Sequence, residues 1–299
     1  MRHVAVTTIT PMMLAHAPVA RSDVWSAWRP DPVILGMLVL TAVLYRLGLA
    51  HLGTRRRQMV RPVNVVAFAG ALLGMAIALA SPLELAASSV FAAHMVQHLL
   101  LLVVVAPLLV CGRPVVVLGQ ALPLRGRRLS VRARTRPSVR SAMDGLFHPV
   151  SVWATGAVVL WAWHLPALYE TALRHDALHA LEHASLIATS ALVWAVALGR
   201  SRRSLAIPAA SGLLLATAMQ SGALGAVLAL AQRPLYPIHA SVAPSWGLTP
   251  LEDQQLAGGL MWVPPGIVYT VVIAALMAHW LGSLDVPDGE RAATVRGPS

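Results

Sequence analysis

The sequence predicts an all-α, polytopic integral membrane bundle of about seven transmembrane helices, with its N-terminus outside and its C-terminus inside. Three observations carry this: a recurrence of apolar blocks near 20 residues long, a scarcity of charge, and an uneven spread of arginine. Of the 299 residues, 57% are hydrophobic and only 12% charged, against roughly 25% charged in a soluble domain. Mean hydropathy is +0.67. Each block is long enough to cross a hydrocarbon core about 30 Å thick. Only a helix or a closed barrel satisfies its own backbone groups in lipid, and blocks of this length predict helices.

The spans fall near residues 32–52, 62–81, 91–111, 150–168, 178–198, 207–230 and 257–281. Pro32, Pro62, Pro82, Pro149 and Pro208 stand at or near the ends of these blocks. That suits a first helical turn, where the missing N–H leaves nothing unpaired. Pro107 lies inside the third block and is expected to kink it or end it early. Residues 1–31 read as an outer tail or a weak signal-like segment, with Pro18 hindering cleavage after Ala17. Residues 32–282 form the transmembrane domain, and 283–299 a disordered tail.

Net charge is +11, and all 23 basic residues are arginine. Arg55, Arg56, Arg57 and Arg61 follow the first span, eight arginines lie in the connection 112–149, and Arg200, Arg202 and Arg203 follow the fifth span. The alternate connections hold only Arg174 and Arg233, with three more arginines in the N-terminal tail. The positive-inside rule assigns the rich set to the cytoplasm. The basic connection 112–149 has little aromatic interleaving, so a lipid-facing loop is expected and no nucleic-acid partner. A single cysteine, Cys111, excludes an internal disulfide and any CxxC motif. Its expected role is that of a small packed hydrophobe.

The histidines gather at one depth. The third span opens AHMVQHLLLLVVVAP, with His94 and His98 four apart on one helix face. The fourth ends WAWHLP, which places His164 at the same level beside interfacial tryptophans. The fifth begins HDALHALEH, giving a second pair, His179 and His183, with His175 extending the row if the helix reaches back that far. The seventh begins LEDQQ, and Glu84 follows the second span. Ionisable groups in a membrane are costly and face a bundle interior or a wet cavity. Two H-x-x-x-H pairs supply up to four nitrogen ligands for copper, zinc, iron or nickel. Asp253 either orients or completes such a shell, or is the acidic start of a helix. Met95 and Met261 are either packing residues or thioether ligands that favour Cu(I). His51, His148 and His279 fall at the opposite ends of spans, and His3, His16 and His239 in the outer tail or loop.

Four blocks carry a family resemblance: HMVQHLLLLVVVAPLLVCGRP from His94, WHLPALYETAL from Trp163, LHALEHASL from Leu178 and EDQQLAGGLMWVP from Glu252. In content and order they resemble the CtaG-type assembly factors of caa3-type cytochrome c oxidase. The resemblance covers most of the chain from the third span onward. It implies a non-enzymatic, multi-pass protein of the bacterial plasma membrane, needed to make an active haem–copper oxidase, whose subunits would be its partners. It implies copper as the metal, with the family's motif histidines falling on His94, His98, His164, His179 and His183 and its acidic motif on Asp253. Two other readings stay open: a haem-binding membrane oxidoreductase with axial histidines, and a copper or proton transporter, for which Gln220 and Ser221 are the main candidates to continue a path. The small-residue clusters Gly70/Gly74 and Gly222/Gly225 permit close helix contacts, within the chain or between copies.

Overall fold

The computed structural model describes residues 19–54, 58–200 and 205–284. The first 18 residues, the C-terminal tail from 285, Arg55, Arg56, Arg57, Arg202 and Arg203 lie outside the described residues. Among those described, the chain is helical with no strand. The main elements are α1 (Pro32–Ala50), α2 (Pro62–Ala80), α3 (Pro82–Ser89), α4 (Phe91–Leu99) and α5 (Ala106–Cys111). They continue with α6 (Pro114–Ala121), α7 (Leu124–Thr135), α8 (Pro137–Leu146), α9 (Pro149–Trp163) and α10 (Pro166–Arg174). The last three are α11 (Asp176–Ala197), α12 (Ile207–Ala229) and α13 (Pro250–Leu284).

Six helical segments are long and apolar enough to cross a membrane, and a bent pair, α8 with α9, brings the number to seven. The fourth span is shorter than the expected 150–168, because prolines fix both of its ends. His148 and Leu165 are extended, as residues before proline tend to be, and Pro149 and Pro166 each open a new helix. The break before Pro149 turns α9 by 66° from α8. The connection 112–149 is not an irregular loop but three helices, α6 to α8, with no buried residue on α7 or α8. The seventh span starts earlier than expected: α13 runs 35 residues through Pro264 and Pro265 and takes in the polar turn at 252–255.

Pro107 neither ends the third span nor breaks it sharply. Leu100–Val105 is π-helical and joins α4 to α5. In this wider register the amide of Ala106 donates to the Leu101 carbonyl, five residues back. The next donor would be Pro107, which has none, so the Leu102 carbonyl accepts instead from Ser190 Oγ at 2.8 Å and Trp194 Nε1 at 3.2 Å on α11.

Glycine lets α12 and α13 pack backbone to backbone. A Cβ on Gly225 would stand 2.8 Å from the Gly258 carbonyl oxygen, and one on Gly258 would collide with the backbone of Ala229 and Gly225. Gly74 on α2 instead makes room for a side chain, since a Cβ there would stand 2.7 Å from Val105 Cγ2. These small-residue clusters therefore serve contacts inside the chain. Lipid-facing apolar side chains such as Val39, Leu40, Leu73 and Val271 stay exposed, as bilayer contact allows. The α1 helix is the most peripheral span, with 11% of its apolar window buried, against 50% for α11.

Candidate metal centre

The candidate centre lies at one end of the bundle, where α4, α9 and α11 meet. The α4 helix begins after an extended break at Val90, whose side chain cannot cap it. Its first amides are capped from another helix: Asp253 on α13 accepts from Phe91 N at 2.8 Å and from Ala92 N at 2.9 Å. This sets the height and rotation of α4 and so of His94 and His98. Phe91 and Met95 of α4 pack with Tyr169, Tyr236 and Met261 in one apolar cluster.

The structure brings five sequence-predicted histidines together. Ring centroids lie 4.3 Å apart for His94 and His98, 4.3 Å for His179 and His183, and 5.5 Å for His94 and His179. His98 is 5.3 Å from His183 and 6.0 Å from His164. All five are buried. His164 ends α9; its Nδ1–H donates to the Leu160 carbonyl at 2.7 Å, which fixes the tautomer and leaves Nε2 as a lone pair. Its own carbonyl accepts from the Tyr236 hydroxyl at 2.7 Å.

The sixth buried group is Glu182, which the sequence reading did not single out although it lies inside the quoted block LHALEHASL. Its Oε1 stands 3.7 Å from His94 Nε2 and 3.6 Å from His98 Nε2. The signal was available: an acid three residues after His179 shares its helix face and sits within an apolar span. Two ligand triads result, His94 with His179 and His183, and His94 with His98 and Glu182. Within each, the ligand atoms lie within 4.8 Å of one another.

Chemistry then tests whether these residues fit an ion. Both oxygens of Glu182, both ring nitrogens of His98, and Nε2 of His94 and His164 are buried with no hydrogen-bond partner among the described residues. A buried polar atom left unpaired costs about 1–3 kcal/mol, more when charged. Two ligands about 2.0–2.1 Å from one tetrahedral ion would stand about 3.4 Å apart, close to the two glutamate–histidine separations. A neutral imidazole keeps one N–H, but its other nitrogen and the Glu182 oxygens offer lone pairs that converge here, which fits a cation.

Asp253 is not part of this set. Its carboxylate is engaged at the start of α4, where it positions the helix that carries two of the histidines. His175 also stays out. It is exposed at the N-terminus of α11, with Nδ1 on the Thr171 carbonyl at 2.9 Å. His51, His148 and His279 are exposed elsewhere. His239 lies in the connection between α12 and α13, as expected of a loop residue, and is buried there. Its Nδ1–H donates to the Ser89 carbonyl at 3.1 Å and its Nε2 accepts from Tyr169 OH at 2.8 Å. Tyr169 in turn packs edge-on against His94 at 5.1 Å. Beside the cluster, Glu84 on α3 lies 3.8 Å from His179 Nδ1 and accepts from Gln97. Burial pushes its carboxyl up to about 7, with the Gln97 hydrogen bond opposing and Asp31 and Asp176 adding to the rise.

A helical membrane bundle with a buried histidine–glutamate centre at one end is the class of protein these features define. Comparison places it further. Residues 43–283 match the family described as cytochrome c oxidase caa3 assembly factor, and the chain belongs to that family. It is also similar to uncharacterized proteins of Mycobacterium bovis and Mycobacterium tuberculosis, each 26% identical over 270 residues, or 88% of this chain. The chain spans 40% of the length of each of these relatives. No solved structure matches it.

Proposed function

We propose that this protein is a non-enzymatic assembly factor that holds copper in its histidine–glutamate centre and supplies it to a haem–copper oxidase subunit within the bacterial plasma membrane. The observation that carries the reading is the set of buried lone pairs on His94, His98, His164 and Glu182, which have no partner among the described residues. Imidazole nitrogens with one carboxylate suit copper or zinc, and the family's oxidase is the copper-requiring recipient. The arginine bias supports an orientation with this end outside the cytoplasm. Arg61, Arg113 and Arg200 gather at the other end, close enough to lower the Arg113 pKa together with its burial.

The test is anaerobic Cu(I) binding by the purified protein beside a variant with His94, His98, His179 and His183 all changed to Ala. Stoichiometric binding that the folded variant loses supports the reading. Equal binding in both, or none in either, overturns it and leaves scaffolding as the assembly role. A Soret band in the purified protein would favour the haem reading instead.

A further inference from the structure

A cavity of about 70 Å³ lies directly beside the histidine cluster, lined by α4 with its π-helical turn and by α9, α11, α12 and α13. A water needs roughly 10–15 Å³ of such space, so the cavity has room for an ion with a few ligands or waters. His98 and His164 belong to both the cluster and the cavity wall. Two thioethers share that wall, Met95 and Met261. Met95 is three residues before His98 on the same face of α4, fully buried, and packed in one core cluster with Met261.

Four hydroxyls of the remaining polar wall are committed as donors to backbone carbonyls. Thr189 donates to the Ser185 carbonyl, Ser190 to Leu102, Thr217 to Leu213 and Ser221 to Thr217. Gln220 Oε1 is held by Trp161 Nε1 at 3.1 Å. Pro265, also in the wall, leaves the Met261 carbonyl without its helical donor. No arginine, aspartate or glutamate lines the cavity. A space lined by imidazole, thioether and committed hydroxyl groups, with no formal charge, suits a cation of low charge over a divalent ion, which would lack a counter-charge. Thioether and imidazole together select a soft one.

We propose that this cavity is a second metal subsite, in which Met95 and Met261 take a monovalent soft ion, Cu(I), from the cluster, with His98 or His164 as the ligand common to both positions. The proposal rests on the copper reading above. Transfer is a ligand exchange: a bond to Glu182 or another cluster ligand breaks as a thioether bond forms, and the ion keeps its oxidation state. A shared histidine means the ion is never stripped of all its ligands inside the bilayer, where a bare charge is most costly.

X-ray absorption at the copper edge on the full chain loaded with Cu(I), together with competitive Cu(I) and Zn(II) titrations, tests this. The variant is Met95→Leu with Met261→Leu, a swap that conserves volume. The expected result is a copper–sulfur contribution in the wild type that disappears in the double variant, with Cu(I) affinity reduced tenfold or more. Zn(II) binding, held by the histidine–glutamate cluster, should stay unchanged and reports that the variant is folded. Sulfur-free scattering in the wild type, unchanged Cu(I) affinity in the double variant, or loss of Zn(II) and Cu(I) binding alike overturns the subsite. The function reading fails separately, when the four-histidine variant binds Cu(I) as tightly as the wild type.

Discussion

At the arginine end of the bundle several buried polar groups tie helices together by hydrogen bonds, while Arg113 Nε, Trp153 Nε1 and Ser211 Oγ stand apart from one another without a hydrogen-bond partner among the described residues. The Tyr45 hydroxyl, stacked on Phe68 at 3.8 Å, donates to the Gly112 carbonyl at 2.7 Å, and Asn64 donates to the Cys111 carbonyl at 2.8 Å. Both bonds tie α1 and α2 to the end of the third span. At the histidine end, Glu182 and His98 are just as buried, yet their ligand atoms have no partner among the described residues. The first region has used its polar atoms to hold helices together. The second keeps them convergent and without hydrogen bonds, at a cost in stability that a bound cation would offset. A missing hydrogen bond is thus a sign of function here only where several such atoms converge, as they do on His94, His98 and Glu182 and not on Arg113, Trp153 and Ser211.

The sharpest way to break the comparison is His94→Ala. His94 belongs to both ligand triads, so its loss should weaken metal binding more than the 10–100-fold typical of losing a supporting partner. It should also abolish the metal-dependent gain in stability, which in the wild type amounts to about 2.7 kcal/mol at a ligand concentration of 100 Kd. Glu182→Leu should act in opposite directions on the two forms. Replacing a buried unpaired acid by an apolar side chain stabilises the metal-free protein by about 1–4 kcal/mol, while the metal-dependent gain shrinks. Thermal unfolding in detergent with and without metal reads both effects.

Asp253→Ala separates positioning from ligation. It should cost about 1.5–3 kcal/mol, the worth of hydrogen bonds to a charged group. Metal should still bind at the wild-type stoichiometry with reduced affinity, because the start of α4 loosens while its histidines remain. Unchanged thermal stability would show that the cap at Phe91 and Ala92 contributes nothing.

His239 gives a pH signature. Burial pushes its imidazole down to about 4, against the Ser89 carbonyl, which raises it. Between pH 6.5 and 4 the unfolded chain therefore holds a proton that the folded chain does not. Stability of the metal-free protein should fall as pH drops from about 6.5 and level off near 4. His239→Gln should flatten that part of the profile, and an unaltered slope would assign the dependence to other groups. The smallest effect belongs to the arginine end: Tyr45→Phe should cost about 1 kcal/mol and leave metal affinity untouched. A loss of metal binding there would show that the two ends are coupled.

Periodicity and composition made the spans legible, because lipid imposes one rule on every residue that faces it. Helical spacing likewise placed His94 with His98 and His179 with His183 on common faces, since a contact within one helix depends only on sequence separation. Proline was legible as punctuation at Pro32 and Pro62. Its effect at Pro107 was not, because the π-helical register depends on Ser190 and Trp194 waiting on α11 to take the Leu102 carbonyl.

The sequence by itself determined a helical membrane protein, the ends of most spans, and a set of imidazoles at one depth. The tertiary structure alone decided what each polar group at that depth does. It gave Asp253 to the amides of Phe91 and Ala92, 162 and 161 residues away. It brought Glu182 between His94 and His98, and it buried His239 against Ser89 and Tyr169. The physical reason is that a hydrogen bond or a ligand bond is won by distance and angle between groups on different helices. Those are set by how helices cross and rotate, through contacts such as Gly225 on Gly258, and no local pattern in the chain encodes them.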